Sequence, residues 1–317
     1  MVDAEGPVAA QAASQATARL DAALDRLPYL AGRSVTTQLL EGGLTNLIVK
    51  VSTPARSVVL RLSSSDGELL SIDRDAEDVN SRRAAESGAG PAVLDRLADL
   101  DVLVVDWVEG RTLEPDDLRD ERTLSRVADV CRTLHAGPRF QGDFDMFAVA
   151  RRYLAIVQER GFRMPDGYLD LLPRVDDIAA ALAVRREVTV PCNNDLFAAN
   201  FIDDGTRLWV IDYEYGGNND ACFELGNIWS EADLPVEHLG LLVDSYYGRR
   251  LHHKVARARL LGLMAKYGWT LWASIQHEVS PIDFDFWAWT MEHFDNAAGG
   301  LRGPDLPQLL DAAQTPD

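Results

Sequence analysis

Cysteine is scarce in this chain. Three occur in 317 residues, Cys131, Cys192 and Cys222, too few and too dispersed for a disulfide framework or a cysteine-based zinc site. They suit a reducing compartment. Lysine is nearly absent, with Lys50, Lys254 and Lys266 the only ones, so arginine carries almost all of the positive charge. Positive charge is itself short: 31 Lys and Arg face 50 Asp and Glu, a formal net charge of −19. That balance argues against a nucleic-acid binder and against a protein of anionic membrane surfaces. It fits attraction of a cationic substrate, and it fits still better an ordinary solvated acidic surface. Residues 1–15 have no basic start and no sustained apolar core, so they are not a signal peptide. No apolar run approaches the length of a membrane span. The expectation is a cytoplasmic protein with neither nucleic-acid nor membrane partners.

What is present is 47% hydrophobic residues in a chain long enough for two lobes or one large domain. The stretch that organises it is 190–231, VPCNNDLFAANFIDDGTRLWVIDYEYGGNNDACFELGNIWSE. Asp195 and Asn200 stand at the spacing D-x-x-x-x-N, and an apolar run then delivers Asp212. Kinase-type phosphoryl transfer needs this set: one carboxylate to orient and deprotonate a hydroxyl, then an amide and a second carboxylate to hold Mg²⁺ on the phosphates of ATP. The turn Asp203-Asp204-Gly205 predicts a hairpin that brings Asn200 and Asp212 to one ion.

Upstream, strands are predicted over 34–40, 47–51, 57–62 and 100–108, with a charged helix over 72–87 stopped by Gly88. The turn Glu41-Gly42-Gly43-Leu44-Thr45-Asn46 between the first two strands lets backbone N–H groups approach phosphates. Alone, it reads better as an ordinary hairpin turn. Arg61 on the third strand is placed to meet nucleotide phosphates, with Glu77 behind it; equally, it is an edge-strand arginine facing solvent. The hinge between lobes is expected where Glu109-Gly110-Arg111 turns away from the fourth strand, with the adenine meeting backbone groups near Asp106 to Val108. The lobes are therefore expected at 1–106 and 107–317. Downstream the period turns helical: 118–135, 147–160, 168–184, 236–248, 254–278 and 283–298. Residues 1–17 are expected to fray ahead of a short helix over 18–27, and 299–317 to form a loose tail. His135, at a helix end, reads as a cap or structural partner and not as a catalyst.

Tyr215, Trp229 and Glu231 follow the second aspartate, and Trp269 and Trp272 lie three apart on one helix, so that their rings meet. Trp287 and Trp289 come next. Rings beside a carboxylate suit a quaternary ammonium, whose methyls repel water and whose charge attracts ring quadrupoles. Alone, these rings read as core packing; beside a phosphoryl-transfer set, a substrate pocket is the better reading.

Three segments resemble the choline/ethanolamine kinases, within the larger aminoglycoside-phosphotransferase-like group. GGLTN at 42–46 is similar to the family's glycine loop. NNDLFAANFI with WVIDYEY and FELGNIWSE is close to its catalytic and metal segment. GWTLWASIQHEVSPIDFDF at 268–286 resembles its choline-site signature. The resemblance implies an α+β, bilobal, protein-kinase-like fold: a small N-terminal antiparallel sheet lobe with one helix, and a larger, mostly helical C-terminal lobe. It implies Asp195 as catalytic base, Asn200 and Asp212 on Mg²⁺, and Gly43, Thr45, Asn46 and Arg61 on ATP. It implies an ammonium pocket of Tyr215, Glu231, Trp269, Trp272 and Trp289. Three positions depart from the family. Asn193 stands where His is usual, two places before the base. Glu224 replaces a buried Asp, and Trp289 replaces a Tyr. The activity implied is phosphorylation of choline or a related amino alcohol. The alternatives are ethanolamine, an aminoglycoside-like acceptor, or a catalytically silent binding module.

Overall fold

In the computed structural model, residues 7–40, 43–63, 67 and 69–317 are described. A helix, α1 (Pro7–Arg26), precedes five strands: β1 (Thr36–Leu40), β2 (Asn46–Ser52), β3 (Ser57–Ser63), β4 (Val93–Leu97) and β5 (Val102–Asp106). Helix α2 (Arg74–Ser87) lies between β3 and β4. The sheet runs β1-β2-β3-β5-β4, with every neighbouring pair antiparallel. Strand side chains alternate between faces, and the two faces have separate uses. Val58, Leu60 and Leu62 of β3 join Val49, Val51, Val102 and Val104 in a small core with Ala23 and Leu27 of α1. Ile48, Val59, Arg61 and Val105 line a cleft on the other face.

The rest of the chain builds a larger, mostly helical lobe. It contains α3 (Glu121–His135), α4 (Met146–Arg160), α5 (Leu172–Val184), α6 (Ala221–Glu231), α7 (Val236–Tyr247), α8 (His252–Val279), α9 (Phe286–Leu301) and α10 (Leu306–Gln314). Short strands β6 (Arg111–Thr112), β8 (Phe201–Asp203) and β9 (Leu208–Val210) form one sheet, and β7 (Val190–Cys192) pairs with β10 (Gly217–Asn219). Helix α8 is its axis. It is buried on nearly every side and packs against α4, α6, α9 and α10. Helices α6 and α8 cross with their backbones in contact: a Cβ on Gly226 would stand 2.0 Å from the Ala258 carbonyl oxygen. The two-lobed α+β expectation matches this architecture.

Several expectations are corrected. The first helix is twice as long as expected and begins at Pro7; Met1 to Gly6 lie outside the described residues. The expected loose tail is helix α10, which packs on α5 and α8 through buried Leu306 and Ala313, and the Asp317 carboxylate accepts from the His253 N–H. Strand β4 and helix α6 were not expected as elements. Helix α2, capped by the Asp73 side chain, contributes Ala84 to the large core and not to the small one. All three cysteines are buried and unpaired by disulfides. Among the described residues, no helix is long and apolar enough to cross a membrane.

Candidate active site

The predicted hairpin is β8 and β9, paired Phe201 to Val210 and Asp203 to Leu208. Phe201, Leu208 and Val210 bury one face. The turn is tied by its own acids: Asp204 accepts the N–H groups of Thr206 and Arg207, and Arg126 grips both oxygens of Asp203 at 2.7 Å. The ladder continues one step past the strands, because the Ile211 N–H donates to the Asn200 carbonyl at 3.0 Å. Asn200 and the residue before Asp212 are thereby opposed, as the spacing predicts.

The base candidate is fixed by neighbours in the chain. Asn200 donates from Nδ2 to the Asp195 carbonyl at 2.7 Å, which leaves its Oδ1 as the oxygen available to a ligand. Asn193 accepts the Asp195 N–H and donates to the carbonyls of Ile211 and Asp212. Glu224, from α6, accepts the N–H groups of Asn193 and Asn194 at 2.8 Å each. His135 is buried at 3.5 Å from Glu224 and bonded to the Tyr246 hydroxyl, the structural partner expected of it. Asn194 and Asp212 both hold positive φ, 70° and 65°, an uncommon backbone that clusters at functional sites.

Asp195, Asn200 and Asp212 line one cleft of about 900 Å³ between the lobes. Burial first, then the charges of Asp212 and Glu214, hold the Asp195 carboxyl well above the usual range. Burial and Asp212 likewise push Glu214 up to about 7. Arg61 reaches across from β3 to Asp212 and lies 3.0 Å from Glu77, the partner expected for it. Arg74 adds contacts to Glu77 at 2.8 Å and to Glu214 at 3.2 Å. Asp212, Glu214 and Glu77 therefore share two guanidiniums, and the Asp195 carboxylate adds to their charge. The remaining negative charge, with carboxylate and amide oxygens exposed to the cleft, is the donor set Mg²⁺ takes.

The glycine turn closes over this point. Gly43, Thr45 and Asn46 line the cleft, while Glu41 and Gly42 lie outside the described residues. Thr45 and Asn46 donate to Glu214 at 2.9 and 2.8 Å, and Gln276 of α8 donates to the Leu44 carbonyl at 2.9 Å. Asp106 and Val108 are at the cleft edge. The Asp106 N–H is taken by the Ala92 carbonyl and its carboxylate by Arg56.

At the other end of the cleft stand Tyr215, Glu231, Trp269, Trp272 and Trp289. Trp269 meets Tyr215 edge-on with centroids 4.9 Å apart, and Trp272 meets Trp289 at 5.2 Å, in place of the expected contact with each other. The Trp272 indole donates to the Tyr215 hydroxyl at 2.8 Å. The sequence model of the family described as choline/ethanolamine kinase matches residues 37–238.

The chain belongs to the choline/ethanolamine kinase family.

It is thus a kinase, a phosphotransferase that acts on an alcohol group. Protein LicA of Haemophilus influenzae is 28% identical over 253 residues, 75% of this chain and 72% of that protein. Ethanolamine kinase 2 of Mus musculus is 26% identical over 302 residues, 84% of this chain and 77% of that one. A solved choline/ethanolamine kinase family protein from Mesorhizobium loti superposes with a TM-score of 0.83 at 28% identity, covering 94% of this chain and 99% of its own.

Against this family, Asn193 in place of His still bonds to the backbone on both sides of the site. Glu224 in place of Asp still receives backbone N–H groups. One expected pocket residue is misplaced. Trp229 is two positions from Glu231 on α6, and a helix turns about 100° per residue, so the two face nearly opposite ways. Trp229 packs over Gly262, bonds to the Pro235 carbonyl and stays outside the cleft. Glu77 also lies outside the cleft, behind Arg61. Three residues went unread in the sequence. Glu214 is two places after Asp212, in a turn entered through the left-handed backbone of Asp212, so no strand or helix period marks it. Lys266 is three before Trp269 on α8, and His293 four after Trp289 on α9; helical spacing would have placed each beside the pocket.

Proposed function

We propose that the protein catalyses ATP- and Mg²⁺-dependent phosphorylation of the hydroxyl of choline or a closely related amino alcohol. One observation carries the reading: the half-buried Asp195 faces the same cleft as Asn200 and Asp212 on one side and as a ring-lined carboxylate, Glu231, on the other. An amino alcohol spans that interval, with nitrogen at the rings and hydroxyl at Asp195. Asp195 accepts the hydroxyl proton as the oxygen attacks the terminal phosphorus and ADP departs. Asn200 and Asp212 would hold Mg²⁺, which when bound neutralises charge on the phosphate oxygens. Arg61 and the turn at 43–46 steady the phosphates, and Val108 meets the adenine. We place the lobe boundary after Asp106 and the activity in the cytoplasm.

A panel of acceptors in an ADP-release assay, with and without Mg²⁺, tests this. Mg²⁺-dependent release with choline, ethanolamine or an N-methylated intermediate is expected. Release only with aminoglycoside-like polyols, or nucleotide-dependent stabilisation with no release at all, would sink it. Ethanolamine as the preferred acceptor has an observation of its own: Glu231 Oε1 is buried without a hydrogen-bond partner, and a primary ammonium supplies the N–H that a trimethylammonium lacks.

A further inference from the structure

Glu231 is held from one side only. Its Oε2 lies 3.1 Å from Lys266 Nζ and 3.2 Å from His293 Nε2, and those nitrogens are 3.3 Å apart. Its Oε1 is buried and unpartnered among the described residues. The three side chains are 9%, 6% and 1% exposed, so their charges are poorly screened. Burial pushes the Glu231 carboxyl up, but Lys266 and His293 more than offset it, down to about 2; the carboxylate is ionised.

The second nitrogen of His293 decides what its first can do. Nδ1 lies 3.1 Å from the Trp289 carbonyl, which only accepts, so Nδ1 carries a hydrogen in either charge state. With the ring neutral, Nε2 is a lone pair that accepts from Lys266, and the cluster sums to zero. With the ring protonated, Nε2–H donates to Glu231 and opposes Lys266, and the cluster sums to +1.

We propose that Lys266 and His293 determine acceptor specificity by setting the charge a cationic headgroup meets at Glu231 Oε1, so that the headgroup binds beside neutral His293 and is repelled by the protonated ring. The inference rests on the amino-alcohol reading above. The groups facing the imidazole are Glu231 of α6, Lys266 of α8, and the ring and carbonyl of Trp289 on its own helix. Asp195 acts on the same pocket from across the cleft.

The test compares choline with its uncharged tert-butyl isostere, in which carbon replaces nitrogen. Acceptor KM is measured on the full chain with saturating ATP and Mg²⁺ from about pH 8 down to about pH 5.5, where an imidazole changes charge. If the isostere is not turned over, its inhibition constant serves. The ratio of the two constants cancels titrations on the nucleotide side. The ratio of choline to isostere should rise roughly tenfold or more as pH falls, the weakening expected of an added like charge at this range. His293→Gln keeps a donor to Glu231 and cannot titrate, so its ratio should be flat. Lys266→Met should lower choline KM relative to the isostere at every pH; should it not fold, the other two profiles decide alone. Amino-alcohol turnover with a flat wild-type ratio, or a His293→Gln ratio that still follows pH, overturns the inference. Absence of any amino-alcohol turnover overturns the reading beneath it as well.

Discussion

Arg61 and Asp212 meet across the cleft, a guanidinium nitrogen from the small lobe against Oδ1 of the aspartate that follows the hairpin of the large one. The same guanidinium reaches Glu77. The two lobes are therefore joined by charge at the point where phosphates are expected.

Replacing Arg61 should be costly in two ways. Arg61→Met leaves buried Glu77 and Asp212 short of a cation, and stability should fall by about 3–5 kcal/mol, as for other broken buried pairs. Arg61→Lys keeps the charge but not the fork that meets two carboxylates at once, so it should fold and show a raised KM for ATP. Denaturant melts and nucleotide titrations read both, and an Arg61→Met variant as stable as wild type would refute the assignment.

Asp195→Asn should cut turnover about 10²–10⁴-fold, the usual share of a positioned base. Nucleotide-dependent thermal stabilisation should persist, because the side chain is not expected to contact the nucleotide directly. Near-normal ADP release by this variant would remove Asp195 from its role.

Glu214 sets a pH signature. Its carboxyl sits at about 7 in the fold against an ordinary 4.5, so the native state binds the extra proton between those values. Stability contributed by this group is present below 4.5 and is lost as pH rises through about 7. In Mg²⁺-free buffer, Glu214→Gln should lose less melting temperature than wild type across that interval. Its amide exchange over 43–46 should also quicken, since Thr45 and Asn46 lose a charged acceptor. Parallel pH curves for the two proteins would contradict this.

Gly226→Ala should be among the most damaging single changes. A Cβ there would meet the Ala258 carbonyl oxygen at 2.0 Å and the Gly262 nitrogen at 2.8 Å, and backbone cannot swing aside as a side chain can. Overpacking of this kind costs about 1–3 kcal/mol or more. A thermal melt unchanged from wild type would show that the helices separate freely.

The catalytic segment was legible because its chemistry is local: one turn, one two-residue register and one five-residue spacing place Asp195, Asn200 and Asp212. Arg61 was legible only as one of two equal readings, and the solvent-facing one falls because β3 is central, paired with both β2 and β5. The pocket was legible only in part. Trp229 was misread because α6 was not recognised as a helix, and without its period a Trp two places from Glu231 looks like a neighbour. Lys266 and His293 were missed because their meaning depends on three helices meeting, which no single segment encodes. The C-terminal helix was hidden by Pro304 and Pro307, which begin such an element as readily as they prevent one.

Helix α8 bears Lys266, Trp269 and Trp272 at one site and, through Gln276, a tether to the glycine turn at another. A single rod therefore spans both substrates. Tilting it to admit a bulkier alcohol would drag on the phosphate cover, and its contact with α6 leaves no slack for sliding. Descendants of this enzyme can change their diet most cheaply by exchanging rings along that rod while leaving the rod where it lies.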